Sequence, residues 1–382
     1  MKNDKTQSFA GLPVTLVGEM LSKSGQIADE IYAPVCSIQE DRDKLRSQLR
    51  DQVGIEKDSQ TDGEATPTSC GIDGWSSVKK LLSSNVVYCA VCAVEGLIPP
   101  SGKKHWDKPA HEQLIYIEGT GATETGLLDA IMKEMEIEFL TNAPQDVIFL
   151  SSSFVTILSA VMENLKPALE FKESATGKEF LNRIKGSILA LKSILETSDS
   201  EKIRVCVPRK SYNTELAVRM ELSNNFNDTV LMTLLLSPGE FTKPANADLS
   251  GLEKVRELPI KDQAFATVRD GLVSDLSTMN FLYYRPYTWT PAFRIEILQS
   301  AAENSATIMK LLNCIKFQCG IAGIYEPYPL FCAGNMVRSM KKAIPSFRNS
   351  ALSHITNSNK GDPGELFSLF MIKDSDMEDK NG

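Results

Sequence analysis

The feature that most constrains the fold is a change of texture at Cys70. From there the chain runs through CGIDGWSS, NVVYCAVCAVEGL and HEQLIYIEG, with SGKKHWDK as a polar loop before the last. Apolar, β-branched runs of this length between turn residues predict strands of one sheet. An amphipathic helix follows over ETGLLDAIMKEMEIEFLTNA, with Leu128, Ile131, Met132, Met135 and Phe139 as its apolar stripe. QDVIFLSSSF and IRVCVPRK read as buried strands, separated by helical patterns at FVTILSAVMENLKPAL and GKEFLNRIKGSILALKSILE. MNFLYYRPY and AFRIEIL read as an antiparallel pair around TWTP. Helices over AAENSATIMKLLNCIKFQ and from FCAGNMVRSMKKAI follow. The pattern predicts an α/β protein: a mixed sheet covered by helices.

Ahead of the sheet, VTLVGEMLSKSGQIADEIYAP and the charge-laced IQEDRDKLRSQLRDQVG predict an N-terminal helical extension over 1–55. The turn-rich EKDSQTDGEATPTS reads as a linker over 56–69, the sheet domain spans 70–350, and the polar end over 351–382 reads as a mobile tail. No apolar run approaches the roughly 18 residues that cross a bilayer, and the start lacks the apolar stretch of a secretory signal. A cytoplasmic protein with no membrane partner is expected. A net charge of −8 excludes a wholly basic nucleic-acid coat, but not a local basic stripe or a basic partner.

Cys89 and Cys92 form a CxxC inside a β-branched run. Residues three apart on a strand point to opposite faces, so this pair is expected to be buried thiols and not a metal grip. His105, His111 and His354 form no ligand pair. Carboxylates remain as the chemistry-bearing groups. Asp73, in IDGW, is the best placed, because an apolar strand there meets a glycine that permits close approach; the plainer reading is an Asp-Gly turn. Glu134, Glu136 and Glu138 lie beside the apolar stripe of the following helix, where one of them can lean over the sheet toward Asp73; the plainer reading is a solvated face. Basic residues gather at Lys103, Lys104 and Lys108, at Arg204, Arg209 and Lys210, and at Arg338, Lys341, Lys342 and Arg348. Arg209 and Lys210 follow a buried strand and are expected at a sheet end, where phosphate contact is possible.

Between Gly71 and Met340 the chain resembles the NurA family of nucleases, which work with the hexameric ATPase HerA. GIDGW resembles the family's opening Asp-Gly-Ser turn, and MEIEFL with DVIFLSSSF its glutamate helix and second Asp-Gly-Ser strand. RVCVPRKSYNTEL, DTVLMTLLLSPGEFTKP, FLYYRP with AFRIEI, and YEPYPLFCAGNMV resemble the later segments, in the family's order. The resemblance implies an RNase H-like core, a homodimer that threads DNA, a HerA-like ATPase partner, and cutting of DNA ends with Mn²⁺ or Mg²⁺. It implies Asp73 and Glu136 (or, in a shifted register, Glu134 or Glu138) as catalytic metal ligands. It also implies Arg209, Lys210 and Arg294 as DNA contacts.

The resemblance breaks at specific places. Ser151 stands where the family has its second aspartate, and Ser152 and Ser153 replace the Gly-Ser after it. Gly334 occupies the place of a histidine or other polar residue, and Tyr325 falls one residue early, leaving Glu326 in its column. A neutral hydroxyl is a weak ligand for a hard dication. Two expectations therefore stand side by side: a DNA nuclease acting in repair or defence against phage, and a catalytically degenerate adaptor that dimerises, docks the ATPase and holds DNA.

Overall fold

The computed structural model describes residues 12–58, 65–80, 84–100, 102–119, 125–163, 175–196, 202–209, 213–222, 226–247, 250–258 and 263–357. The expected tail from 358 onward and Lys210 lie outside the described residues. Among the described residues the strands are β1 (Ile55–Lys57), β2 (Ser69–Lys80), β3 (Ser84–Glu95), β4 (Ala110–Gly119), β5 (Val147–Leu150), β6 (Ile203–Cys206), β7 (Glu240–Thr242), β8 (Ala245–Asn246), β9 (Asn280–Arg285) and β10 (Phe293–Ile297). They form one mixed sheet of ten strands in the order β1-β7-β9-β10-β6-β5-β2-β3-β4, with β8 on β9. The protein is thus a mixed α/β structure flanked by helices, as its patterning predicts.

The centre of the sheet is parallel. β2 pairs with β5 through Cys70↔Ile148 and Ile72↔Leu150, and β5 pairs with β6 through Ile148↔Arg204 and Leu150↔Cys206. β5 is buried along its whole length, as a strand covered on both faces must be. On one side β3 and β4 extend the sheet antiparallel; on the other, β10 turns antiparallel to β6 and forms the expected hairpin with β9.

Two helices sandwich β2. Residues of α3 (Thr125–Asn142) pack with Cys70 and Ile72 in one core cluster, together with α4 (Phe154–Glu163) and α5 (Ala175–Glu196). On the opposite face Gly71 meets the first turn of the long last helix, which spans Tyr328–Asn357; a Cβ on Gly71 would lie 2.5 Å from the Pro329 carbonyl carbon. This alternation follows from the period of two along a strand. It also places Cys89 in the cluster under α3 and Cys92 beside Met340 of the last helix, so the CxxC is split across the sheet. All eight cysteines are free.

The N-terminal segment is part of this architecture. α1 (Val14–Glu40) continues through Pro34, and α2 (Arg42–Gln52) follows. Leu45 and Leu49 of α2 are buried with Leu231, Met232 and Leu235 of the helix Asp228–Leu235 and with Phe281 of β9. Arg46 pairs with Glu240 at 2.8 Å, and β1, at the start of the expected linker, adds an edge strand on β7. No described helix is long and apolar enough to cross a membrane.

Candidate functional site

Three neighbouring parallel strands deliver the site. Asp73 follows Ile72 on β2, Ser151 follows Leu150 on β5, and Arg209 follows β6 after Val207 and Pro208. The ladder extends to these exits: Ser151 N–H donates to Ile72 O at 3.1 Å, and Val207 N–H to Leu150 O at 2.8 Å. The three side chains therefore emerge where the parallel ladder stops, at the carboxyl ends of β5 and β6 and within β2, which continues alongside β3, on the side where open α/β sheets hold their ligands.

Asp73 is buried, at 7 % exposure. Its Oδ1 accepts from the Ser151 hydroxyl and from Gly74 N–H at 3.1 Å, and its Oδ2 accepts from Arg209 Nη1. Arg209 also donates from Nε to Glu326 Oε2 at 2.6 Å, from Nη2 to Glu326 Oε1 at 3.2 Å, and from Nη2 to Leu330 O. One guanidinium thus bridges two carboxylates and the first turn of the last helix. Burial alone would lower its pKa, but Asp73 and then Glu326 more than offset this and raise it.

Glu136 is fully buried on α3. Lys133, one turn earlier, donates to both of its oxygens at 3.0 Å, and the Ser152 hydroxyl donates to its Oε2 at 3.0 Å. Burial raises the Glu136 carboxyl above its ordinary range, and the Lys133 ammonium opposes that shift. Glu136 reaches β2 at Gly74, on the face opposite Asp73. Glu134 and Glu138 turn instead toward Arg183 of α5, at 2.7 and 3.5 Å. The sequence thus points to two carboxylates that the fold brings close in the chain's geometry but on alternate faces of one strand.

Beside Asp73 lies a cleft of about 600 Å³ lined also by Lys133, Ser151, Arg209, Arg294 and Glu296. A second hollow of about 340 Å³, which also includes Arg209 and Arg294, is lined by Tyr325, Glu326 and Arg338. Arg294 is 3 % exposed and held between Glu215 and Glu296, each at 3.2 Å, with its guanidinium 4.1 Å from the centre of the Phe281 ring. Glu296 is itself pushed up by burial, opposed by Arg294.

A divalent ion of the Mn²⁺ or Mg²⁺ type needs several oxygen donors converging on one point. The residues present do not fit one. Both oxygens of Asp73 are engaged, and one of them faces a cation. Ser151 is neutral, Gly334 has no side chain, and Glu136 is enclosed with its own lysine. Among the described residues no three acidic, histidine or cysteine side chains converge as a metal site. The partners that decide this were only half visible in the sequence. Lys133 stands at helical spacing from Glu136, but Arg209 is 136 positions from Asp73, and only the fold joins them.

No protein-family model matches the chain, and no curated protein does. Solved structures do. The chain is similar to the NurA nuclease from Sulfolobus solfataricus, with a TM-score of 0.58 and 13% identity over 90% of this chain and 98% of that one. It is similar to a second NurA crystal structure with a TM-score of 0.51 and 13% identity over 90% and 99%. The chain has the NurA fold along nearly its whole length.

Proposed function

We propose that this chain is a NurA-type subunit of a DNA-processing machine, and that its cleft holds DNA without a resident metal. The observation that carries this reading is the Arg209 guanidinium seated on Asp73 at the strand ends of a NurA fold. In the proposal the chain is cytoplasmic, has an RNase H-like core, dimerises, and works with a HerA-like hexameric ATPase on DNA ends, in repair or in defence against phage.

The charge pattern supports local phosphate contact and nothing broader. The chain as a whole is acidic, at −8, so a polyanion is drawn only to a particular patch. Arg209, Arg294 and Arg338 line the two adjoining hollows, and Arg338 is exposed. Arg209 and Arg294, fixed in place by carboxylates, form a rigid rim; Arg338 offers charge to a passing phosphate. Lys210 is proposed as a further contact on its position beside Arg209.

A second reading, a metal-dependent nuclease using Asp73 and Glu136, is favoured by one observation: Glu136 packs against the residue next to Asp73. The test of the first reading is fluorescence anisotropy with labelled linear duplex DNA, for the chain alone and with a HerA-like ATPase added. Binding should fall steeply with salt, as counterion release requires, and Arg338→Glu should weaken it. No binding at low salt in either setting would end the proposal.

A further inference from the structure

The site contains a cation of its own, and the space it fills is made by a glycine. Gly334, on the last helix, is buried, and a Cβ built on it would collide with both terminal nitrogens of Arg209 and stand 2.6 Å from Cζ. Any larger residue at 334 would expel the guanidinium from its seat. Within that seat Arg209 meets Asp73 on β2, Glu326 just before the last helix, and the carbonyl of Leu330 within that helix. Nε, Nη1 and Nη2 of the planar guanidinium each have an oxygen acceptor. A guanidinium is well matched to such forked recognition of carboxylates.

The same acceptors would suit a small hard cation if Arg209 were absent. Asp73 Oδ2, both oxygens of Glu326 and the Leu330 carbonyl all accept from one guanidinium, so they border the space that it fills. We propose that Arg209 is the resident cation of this cleft, seated by Gly334 in place of a divalent ion, and that it keeps Mn²⁺ and Mg²⁺ out of the site. Its removal converts the seat into a divalent-cation site. Arg209 is in this account a positioning residue, joining the end of β6 to β2 and to the last helix.

The test is Mn²⁺ uptake by the intact chain, followed by loss of the aqueous Mn²⁺ signal in electron paramagnetic resonance. The parent chain should take up no Mn²⁺ that depends on Asp73. Arg209→Ala should bind Mn²⁺ at least about tenfold more tightly, the least expected when a unit positive charge beside a dication is removed. Adding Asp73→Asn should abolish the gain. Arg209→Gln, a neutral residue that keeps much of the packing, provides the same comparison if the alanine variant fails to fold. Gly334→His should also take up Mn²⁺, because it displaces the guanidinium and adds a nitrogen donor. Uptake by the parent that is lost in Asp73→Asn would overturn the proposal, as would a folded Arg209 variant that gains none. Mn²⁺ uptake reads the role of Arg209 and DNA affinity reads that of the cleft, so the two proposals can fail separately.

Discussion

Glu136 lays its carboxylate over Gly74, the residue that follows Asp73: a Cβ on Gly74 would stand 2.7 Å from Glu136 Oε1 and 2.8 Å from Met132 Cγ. The glycine is therefore what lets α3 settle onto β2 beside the site. Gly74→Ala forces two side chains to move and should destabilise by about 1–3 kcal/mol. Gly71→Ala meets backbone on the other face, at 2.5 Å from the Pro329 carbonyl carbon, and backbone yields less readily. It should be the more damaging of the two. Urea unfolding of both variants checks the order; a Gly71→Ala protein as stable as the parent would contradict the packing of the last helix on β2.

The Lys133–Glu136 pair sets a pH dependence. The folded-state pKa of Glu136 is raised, chiefly by burial and despite Lys133. In the window between its ordinary value and its folded value the native state holds more protons than the unfolded chain. Stability from this group is therefore greatest at low pH and falls as pH rises through the window. Lys133→Met removes the opposing charge, pushes the folded pKa higher and extends the loss upward. Near neutral pH the variant should be less stable by about 3–5 kcal/mol, the usual result of leaving a buried charge without its partner. Melting temperatures from about pH 4 to about pH 8 measure it; a constant gap between parent and variant across that range would count against the assignment.

The N-terminal helices differ in what they contribute. Leu49 is fully buried beside Leu231 and Leu235, whereas Leu21 on α1 is 60% exposed. Leu49→Ala should cost about 2–5 kcal/mol, and Leu21→Ala should be within about 0.5 kcal/mol of neutral. Chemical denaturation of the two proteins distinguishes a segment built into the core from one that is merely attached.

The thiols give a cheap check on burial. Cys36 and Cys332 are partly exposed, and the other six cysteines are buried. Burial pushes Cys92 up to about 11 and Cys314 up to about 12, so neither forms thiolate near neutral pH. Ellman's reagent should react with Cys36 and Cys332 in the native protein, and with the others only after unfolding. Rapid native labelling of Cys89 or Cys92 would contradict the sheet register.

Much of the fold was legible because β3, β5 and β6 are apolar runs whose period and length admit little else. The split of Cys89 from Cys92 follows from strand geometry alone. The short strands β1, β7 and β8 were not legible, since two or three residues carry no period. The last helix begins at Tyr328, ahead of the expected Phe331, because Pro329 is tolerated in a first turn where its missing N–H would have no partner. Similarly, Asn304 interrupts the expected helix over AAENSATIMKLL by capping a new one, accepting from Ala306 N–H at 3.0 Å. At the site, Asp73 and Glu136 could be nominated from residue type and setting. Arg209 could be placed at a sheet end, but its pairing with Asp73 could not be read, because the two meet only through strand order and through the space at Gly334.

The most direct test of the central claim uses end-labelled linear duplex DNA, with the ATPase present and absent, in EDTA and in Mn²⁺. Affinity and products are read from the same samples. The account predicts equal binding in both conditions and no product that depends on Asp73. Mn²⁺-dependent cleavage that disappears in Asp73→Ala would contradict it.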